Sequence, residues 1–133
     1  MKKGFVADIE EETIKNTDFR RVLYTGKYCQ LVLMCLKPGE EIGEETHDDV
    51  DQFFRFEEGK GVVVIDGIKH AVKDGSGVIV PCGAKHNVKN TSKTSNLKLY
   101  TIYSPPEHHD KVVRKTRQEA LAREEHFNGK TTE

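Results

Sequence analysis

The stretch GEEIGEETHDDVDQFFRFEEG, residues 39–59, sets one histidine in an acidic run that turns abruptly into alternating aromatics. An imidazole among carboxylates is either a solvated loop residue or one ligand of a site whose other members lie elsewhere in the chain. Glu45 and His47 are two residues apart, so both face the same side of an extended segment. Gln52, Phe54 and Phe56 share one face of the following strand, with Phe53 and Arg55 on the other. The aromatic face is the expected interior, which places Gln52 inside. The five-residue step from His47 to Gln52 would flip faces in a regular strand, so the DDVD stretch must contain a loop or bulge.

A second histidine, His86, lies in GSGVIVPCGAKHNVKN, residues 75–90. The remaining reactive side chains are weaker candidates. Asp49 and Asp51 either orient His47, as ligating histidines usually require, or solvate the loop. His108 and His109 follow Pro105 and Pro106 and read as a solvated loop, with closure over the site as the alternative. His70 lies on an outer-facing hairpin. Tyr100 and Tyr103 are three apart on one strand, so only one of them can face a pocket. Cys82 has no neighbour that would activate a thiolate, and nucleophilic catalysis is not assigned to it.

These residues must be positioned by strands. Short apolar stretches alternate with turn signals from residue 20 to residue 104, and no helical period there competes with them. YCQLVLMCL ends at Lys37-Pro38-Gly39; QFFRFEE, VVVI, IKHAV, GVIVP, HNVKN and LKLYTIY follow at the spacing of a sandwich or barrel. Asp66-Gly67 between VVVI and IKHAV is a strong hairpin signal. The tail changes character. TRQEALAREEHF predicts a helix within a tail of about 114–128, opened by a Thr116/Glu119 capping box and stopped by Gly129. KVVRKTR, residues 111–117, reads as the solvated start of that helix rather than a phosphate-binding patch.

Composition narrows the classes. A chain of 133 residues is expected to form one domain, 1–133, with its core at about 20–105, burying roughly 68% of its unfolded surface. Lys and Arg total 21 against 22 Asp and Glu, which supplies no electrostatic reason for a nucleic-acid partner. No apolar run approaches the ~20 residues of a membrane span, and MKKGFVADIEEE lacks a signal-peptide core. The reading is cytoplasmic, with no membrane partner. Cys29, Cys35 and Cys82 are expected to be free thiols.

Gly75, Pro81, Gly83, His86 and Asn90 match the second cupin motif at every position. Gly39, Glu45, His47, Gln52 and Gly59 reproduce every gap of the first, with Glu45 in place of its first histidine and Gln52 in place of its glutamate. The chain thus resembles the cupin superfamily, small single-domain type, over the motifs at 39–90 and flanking strands to about 20–105. The resemblance implies an all-β fold, a small antiparallel jelly-roll barrel with ligand side chains at one mouth and, here, a short C-terminal helix. It implies a divalent transition metal held by Glu45, His47, Gln52 and His86. Mixed nitrogen and oxygen donors suit zinc, iron, manganese or nickel, with weaker affinity than three histidines would confer.

The function so implied is a small-molecule enzyme of the sugar isomerase, dioxygenase or decarboxylase/lyase type, with Glu45, if unligated, as general base. The alternative is a non-catalytic barrel, with or without metal, that binds a small polar metabolite. Pairing as a homodimer through sheet faces is a further expectation from the resemblance.

Overall fold

β-Branched and aromatic residues recur wherever the chain runs extended, and glycine, proline or Asp-Gly interrupts each run. The computed structural model describes residues 1–133. The strands are β1 (Arg20–Thr25), β2 (Gln30–Leu36), β3 (Asp51–Glu58), β4 (Lys60–Ile65), β5 (Ile68–Lys73), β6 (Gly77–Val80), β7 (His86–Asn90), β8 (Leu97–Ser104) and β9 (Val113–Arg114). The helices are α1 (Ile9–Lys15) and α2 (Arg117–Ala122).

All strand pairings are antiparallel. One sheet has the order β6-β3-β8-β2-β1-β9 and the other β5-β4-β7. Residues 40–45 extend the smaller sheet along β7 without forming a regular strand: Glu41 bridges Lys89 and Glu45 bridges His86. The two sheets enclose a core that includes Val32, Met34, Phe54, Phe56, Val88 and Leu99. Each such side chain contributes roughly 1.5–3 kcal/mol by leaving water. The inward set on β3 is Gln52, Phe54 and Phe56, as the alternation predicts.

β2 is buried almost throughout rather than on alternate residues. The cause is α1, which packs across β2, β3 and β8 and accepts the Lys98 ammonium on its Ile14 carbonyl. Sequence reading missed this helix, although its local signals are present. Asp8 caps it by accepting from Glu11 N–H at 3.0 Å, Glu10, Glu11 and Glu12 occupy the first turn, and Lys15 the last. At seven residues it has too little length to be stable alone, so packing decides it.

The Asp66-Gly67 turn closes the β4–β5 hairpin, with φ of 45° and 81° at the two positions. The tail departs from expectation in two places. Val113 and Arg114 pair with Arg21 and Arg20 as a short outer strand instead of opening a helix. The helix then runs over six residues only, with Thr116 accepting from Glu119 N–H at 3.1 Å as its N-cap. It ends early because Glu125 is drawn to His108 and Arg114, and the Phe127 amide to the Glu107 carbonyl at 2.7 Å. Residues 123–133 cross the barrel as a strap. Thr132 N–H donates to Thr25 O at 2.9 Å, and the Glu133 carboxylate accepts from the amides of Lys3 and Gly4.

Candidate functional site

Glu45 and His86 face each other across adjacent extended segments and exchange both backbone hydrogen bonds, at 2.8 and 2.9 Å. Residues so paired project their side chains to the same side. His47, two residues on, returns to that face, and its carbonyl accepts from the Gly83 amide at 2.7 Å. The PCG turn before β7 is thereby locked against the 45–47 segment. The result is a cluster of Glu45, His47 and His86 whose ligand atoms all lie within 4.8 Å of one another. Such a group can hold a metal ion.

Each donor is prepared differently. His86 is buried, and its Nδ1 lies 3.0 Å from the Ala84 carbonyl. A carbonyl only accepts, so Nδ1 carries the proton and Nε2 keeps its lone pair. His47 Nε2 stands 3.0 Å from a Glu45 carboxylate oxygen, yet the contact is too oblique for a hydrogen bond, leaving Nε2 buried without a hydrogen-bond partner. Two ligands aimed at a common point rather than at each other have this geometry. The contact with Glu45 is the largest influence on His47 and, against burial, holds its imidazole above the ordinary value of 6.5. Burial pushes the Glu45 carboxyl up, but His47 outweighs it and the carboxyl titrates below its usual range. One carboxylate and two imidazoles, with one nitrogen orphaned and another fixed as an acceptor, fit a divalent transition metal.

Gln52 is 3% exposed on β3. Its Nε2 donates to Thr101 Oγ1 at 3.0 Å, and its Oε1 is buried with no partner. It pairs with Tyr103 on β8. The Tyr103 ring stands edge-on to His47 at 6.0 Å, so Gln52 adjoins the cluster through this tyrosine. Tyr103 is the inward member of the tyrosine pair, and burial drives its phenol well above the ordinary range.

His108 is not a solvated loop residue. It is 7% exposed, packs edge-on against Tyr103 at 5.1 Å, and meets the Tyr103 hydroxyl and the Glu125 carboxylate with its two ring nitrogens. The strap residue Glu125 holds it there. Burial, the largest influence, keeps the His108 imidazole below 6.5. The second carboxylate beside His47 is Glu107, 3.8 Å from Nδ1, rather than Asp51. Asp51 instead accepts from the Cys82 amide at 2.9 Å and steadies the turn before β7. His70 is exposed on β5, and all three cysteines are free thiols.

Two motif residues serve the scaffold. Asn90 donates to the carbonyls of Leu36, Lys37 and Ser95. Gly59 has φ of 92°, and a Cβ there would strike the Asn96 carbonyl.

Beside the cluster lies a cleft of about 260 Å³, walled by Glu45 and Thr46, by Glu107 and His108, by α2 and the strap, and by Arg20 of β1. Arg20 was not found by sequence reading. Nothing in FRRVLY distinguishes Arg20 from its exposed neighbour Arg21 except the strand alternation that turns one of them inward.

The cupin domain family profile matches residues 32–103. The chain is 45% identical over 129 residues to the protein YrkC of Bacillus subtilis, covering 92% of this chain and 69% of that protein. A protein of Acanthamoeba polyphaga mimivirus is 44% identical over 107 residues, covering 78% of this chain and 67% of its own. A crystal structure of a Bacillus halodurans protein superposes with a TM-score of 0.89 at 42% identity, covering 91% of this chain and 96% of that one.

Proposed function

This chain belongs to the cupin domain family, and on that premise we propose that it is a metal-dependent enzyme acting on a small polar metabolite. Glu45, His47 and His86 would hold a divalent transition metal, zinc, iron, manganese or nickel, with Gln52 Oε1 as the additional oxygen donor. The observation that carries the reading is the convergence of three ligand atoms within 4.8 Å, one of them a buried imidazole nitrogen with no hydrogen-bond partner. The orphaned Gln52 oxygen adds support.

A bound metal with open positions polarises a carbonyl or activates water or dioxygen, the chemistry shared by isomerases, decarboxylases and dioxygenases. The protein's own residues do the rest. The Ala84 carbonyl holds His86 in one tautomer, and Glu107 places a negative charge 3.8 Å from His47 Nδ1, on the far side of its ring. Thr101 fixes the Gln52 amide, while Tyr103 and Phe54 wall the site with aromatic edges. Glu45 is the one cluster member that also lines the cleft. Where it is not bound to metal, its ionised carboxylate is placed to accept a proton from a ligand there.

Elemental analysis of tag-free protein purified without chelators tests the reading. Near-stoichiometric metal in the parent, lost in both His47→Ala and His86→Ala, is the expected result. Parent protein that stays metal-free after reconstitution would leave a non-catalytic, metabolite-binding barrel as the function.

A further inference from the structure

The cleft holds four carboxylates and one guanidinium, and their partners differ. Glu45 lies against His47, Glu107 lies 3.4 Å from His126 and 3.8 Å from His47, and Glu125 is bound by His108 and Arg114. Glu124 is exposed to water. Arg20 forms no such close pair. It is 8% exposed, its Nε is buried without a hydrogen-bond partner, and its guanidinium carbon lies 5.5 Å from the Phe19 ring. Its charge reaches Glu45 and Glu125 across the cleft and helps hold both carboxyls below their ordinary range, but neither carboxylate bonds to it. Arg55 and Arg114, by contrast, each reach a glutamate within 3.0 Å. A buried cation without a bonded partner is destabilising. Its retention on the wall of a cleft suits an anion that can close to bonding distance, which no carboxylate of the folded chain does.

We propose that this cleft is a carboxylate-binding subsite anchored by Arg20, and that the small molecule the protein takes is an organic acid. The proposal deepens the metal-site reading and rests on it in one respect, that the far end of the ligand meets Glu45, His47 and His86. The Arg20 contact itself needs no metal. A planar guanidinium matches the two oxygens of a carboxylate with parallel N–H donors. Phe19, Ile42, Ala120 and Leu121 form the apolar part of the wall and suit a short carbon skeleton. The cleft's 260 Å³ equals roughly nine waters at ~30 Å³ each, which limits the ligand to a few carbons. A phosphate dianion would bring a second negative charge among four acidic residues with one cation to meet it, so the singly charged acid group is favoured.

The test is a titration of isotope-labelled protein with propionate, in buffer otherwise free of carboxylate and phosphate at fixed ionic strength, on chelator-treated and on zinc-loaded samples. Propionamide serves as the neutral control and inorganic phosphate as the competing anion. Propionate is expected to shift the Arg20 Nε–Hε resonance in both samples. Its Kd should weaken at least tenfold in Arg20→Gln and less in Arg20→Lys. Arg20→Gln should also melt no lower than the parent, because it loses a buried charge that has no bonded partner; a purely structural arginine would show the opposite. An unmoved Arg20 resonance, equal propionate affinity in Arg20→Gln, or phosphate or propionamide binding as tightly as propionate would overturn the proposal. The resonance is read on the parent, so a variant that fails to fold leaves that arm to decide. Metal content of the same samples separates the two readings. Propionate at Arg20 in a protein that takes no metal refutes only the metal centre, and metal without propionate at Arg20 refutes only the subsite.

Discussion

Replacing Glu125 by alanine removes the carboxylate that ties the C-terminal strap to the barrel. Its two oxygens accept from His108 Nδ1 at 2.9 Å and Arg114 Nη2 at 3.0 Å, and the three side chains are 5%, 9% and 12% exposed. Hydrogen bonds to a charged group contribute about 1.5–3 kcal/mol each, so the gross loss is about 3–6 kcal/mol. Some is regained, because the strap lies at the surface and Arg114 can turn to water. The expected net destabilisation is about 3 kcal/mol, which for a chain of this size lowers Tm by roughly 10 °C. The same loss should appear locally. The amides of Phe127 and Thr132, which donate to Glu107 and Thr25 carbonyls, should exchange with deuterium on the order of 100-fold faster. Glu125→Gln, which keeps one acceptor, should lose about half as much. Calorimetry and native-state hydrogen exchange measure both effects. A Tm within about 1 °C of the parent with unchanged exchange at Phe127 and Thr132 would refute the claim that Glu125 clamps the strap and ends α2 early.

The His108 imidazole is held below its ordinary 6.5, chiefly by burial, so the unfolded chain binds this proton at a higher pH than the folded one. Its contribution is complete above pH 6.5 and is lost as the pH falls through that value toward the folded pKa, and the lowered Glu125 carboxyl adds loss below its ordinary 4.5. His47 acts oppositely, its raised value contributing stability below 6.5 that is lost as the pH rises through the folded pKa. Urea midpoints for the parent and His108→Phe should therefore converge on going from neutral pH to pH 5, and a constant difference would contradict this. Gly59→Ala should cost about 3 kcal/mol, because φ of 92° and the Asn96 carbonyl both oppose a Cβ, and an unchanged Tm would show that the β3–β4 turn relaxes freely. Asn90→Ala should cost about 2–4 kcal/mol through three unbonded carbonyls and leave metal content per folded molecule unchanged. Metal lost with the asparagine would mean that it shapes the site and not only the scaffold.

The strands were legible because their signals are local. Period-two alternation places Gln52, Phe54 and Phe56 inward, and Asp66-Gly67 can close only a tight hairpin. Glu45 and His47 were legible as a pair for a related reason, since a spacing of two turns both to one face of an extended segment. His86 was joined to them only through the resemblance of the two motifs to the cupin pattern, and the bridge between Glu45 and His86 is what brings the three within 4.8 Å. Gln52 was placed inside correctly, while its neighbourhood of Thr101 and Tyr103 comes from β8, with Thr101 lying 49 residues further along the chain.

What depends on distant partners was not legible. Helical propensity continues through AREEHF, but Glu125 gains more from a buried histidine and arginine than from another turn of α2. The α1 signals were present but short, and only the outer face of β2, β3 and β8 makes them sufficient. Local sequence thus determined the strands and the spacing of the metal-type ligands, since backbone geometry converts spacing directly into direction. Tertiary structure alone decided that Arg20, Glu107, His108 and the strap meet beside Glu45 to form a cleft. Each comes from a different part of the chain, and the pairing or isolation of a buried charge is settled only by what folding brings within reach.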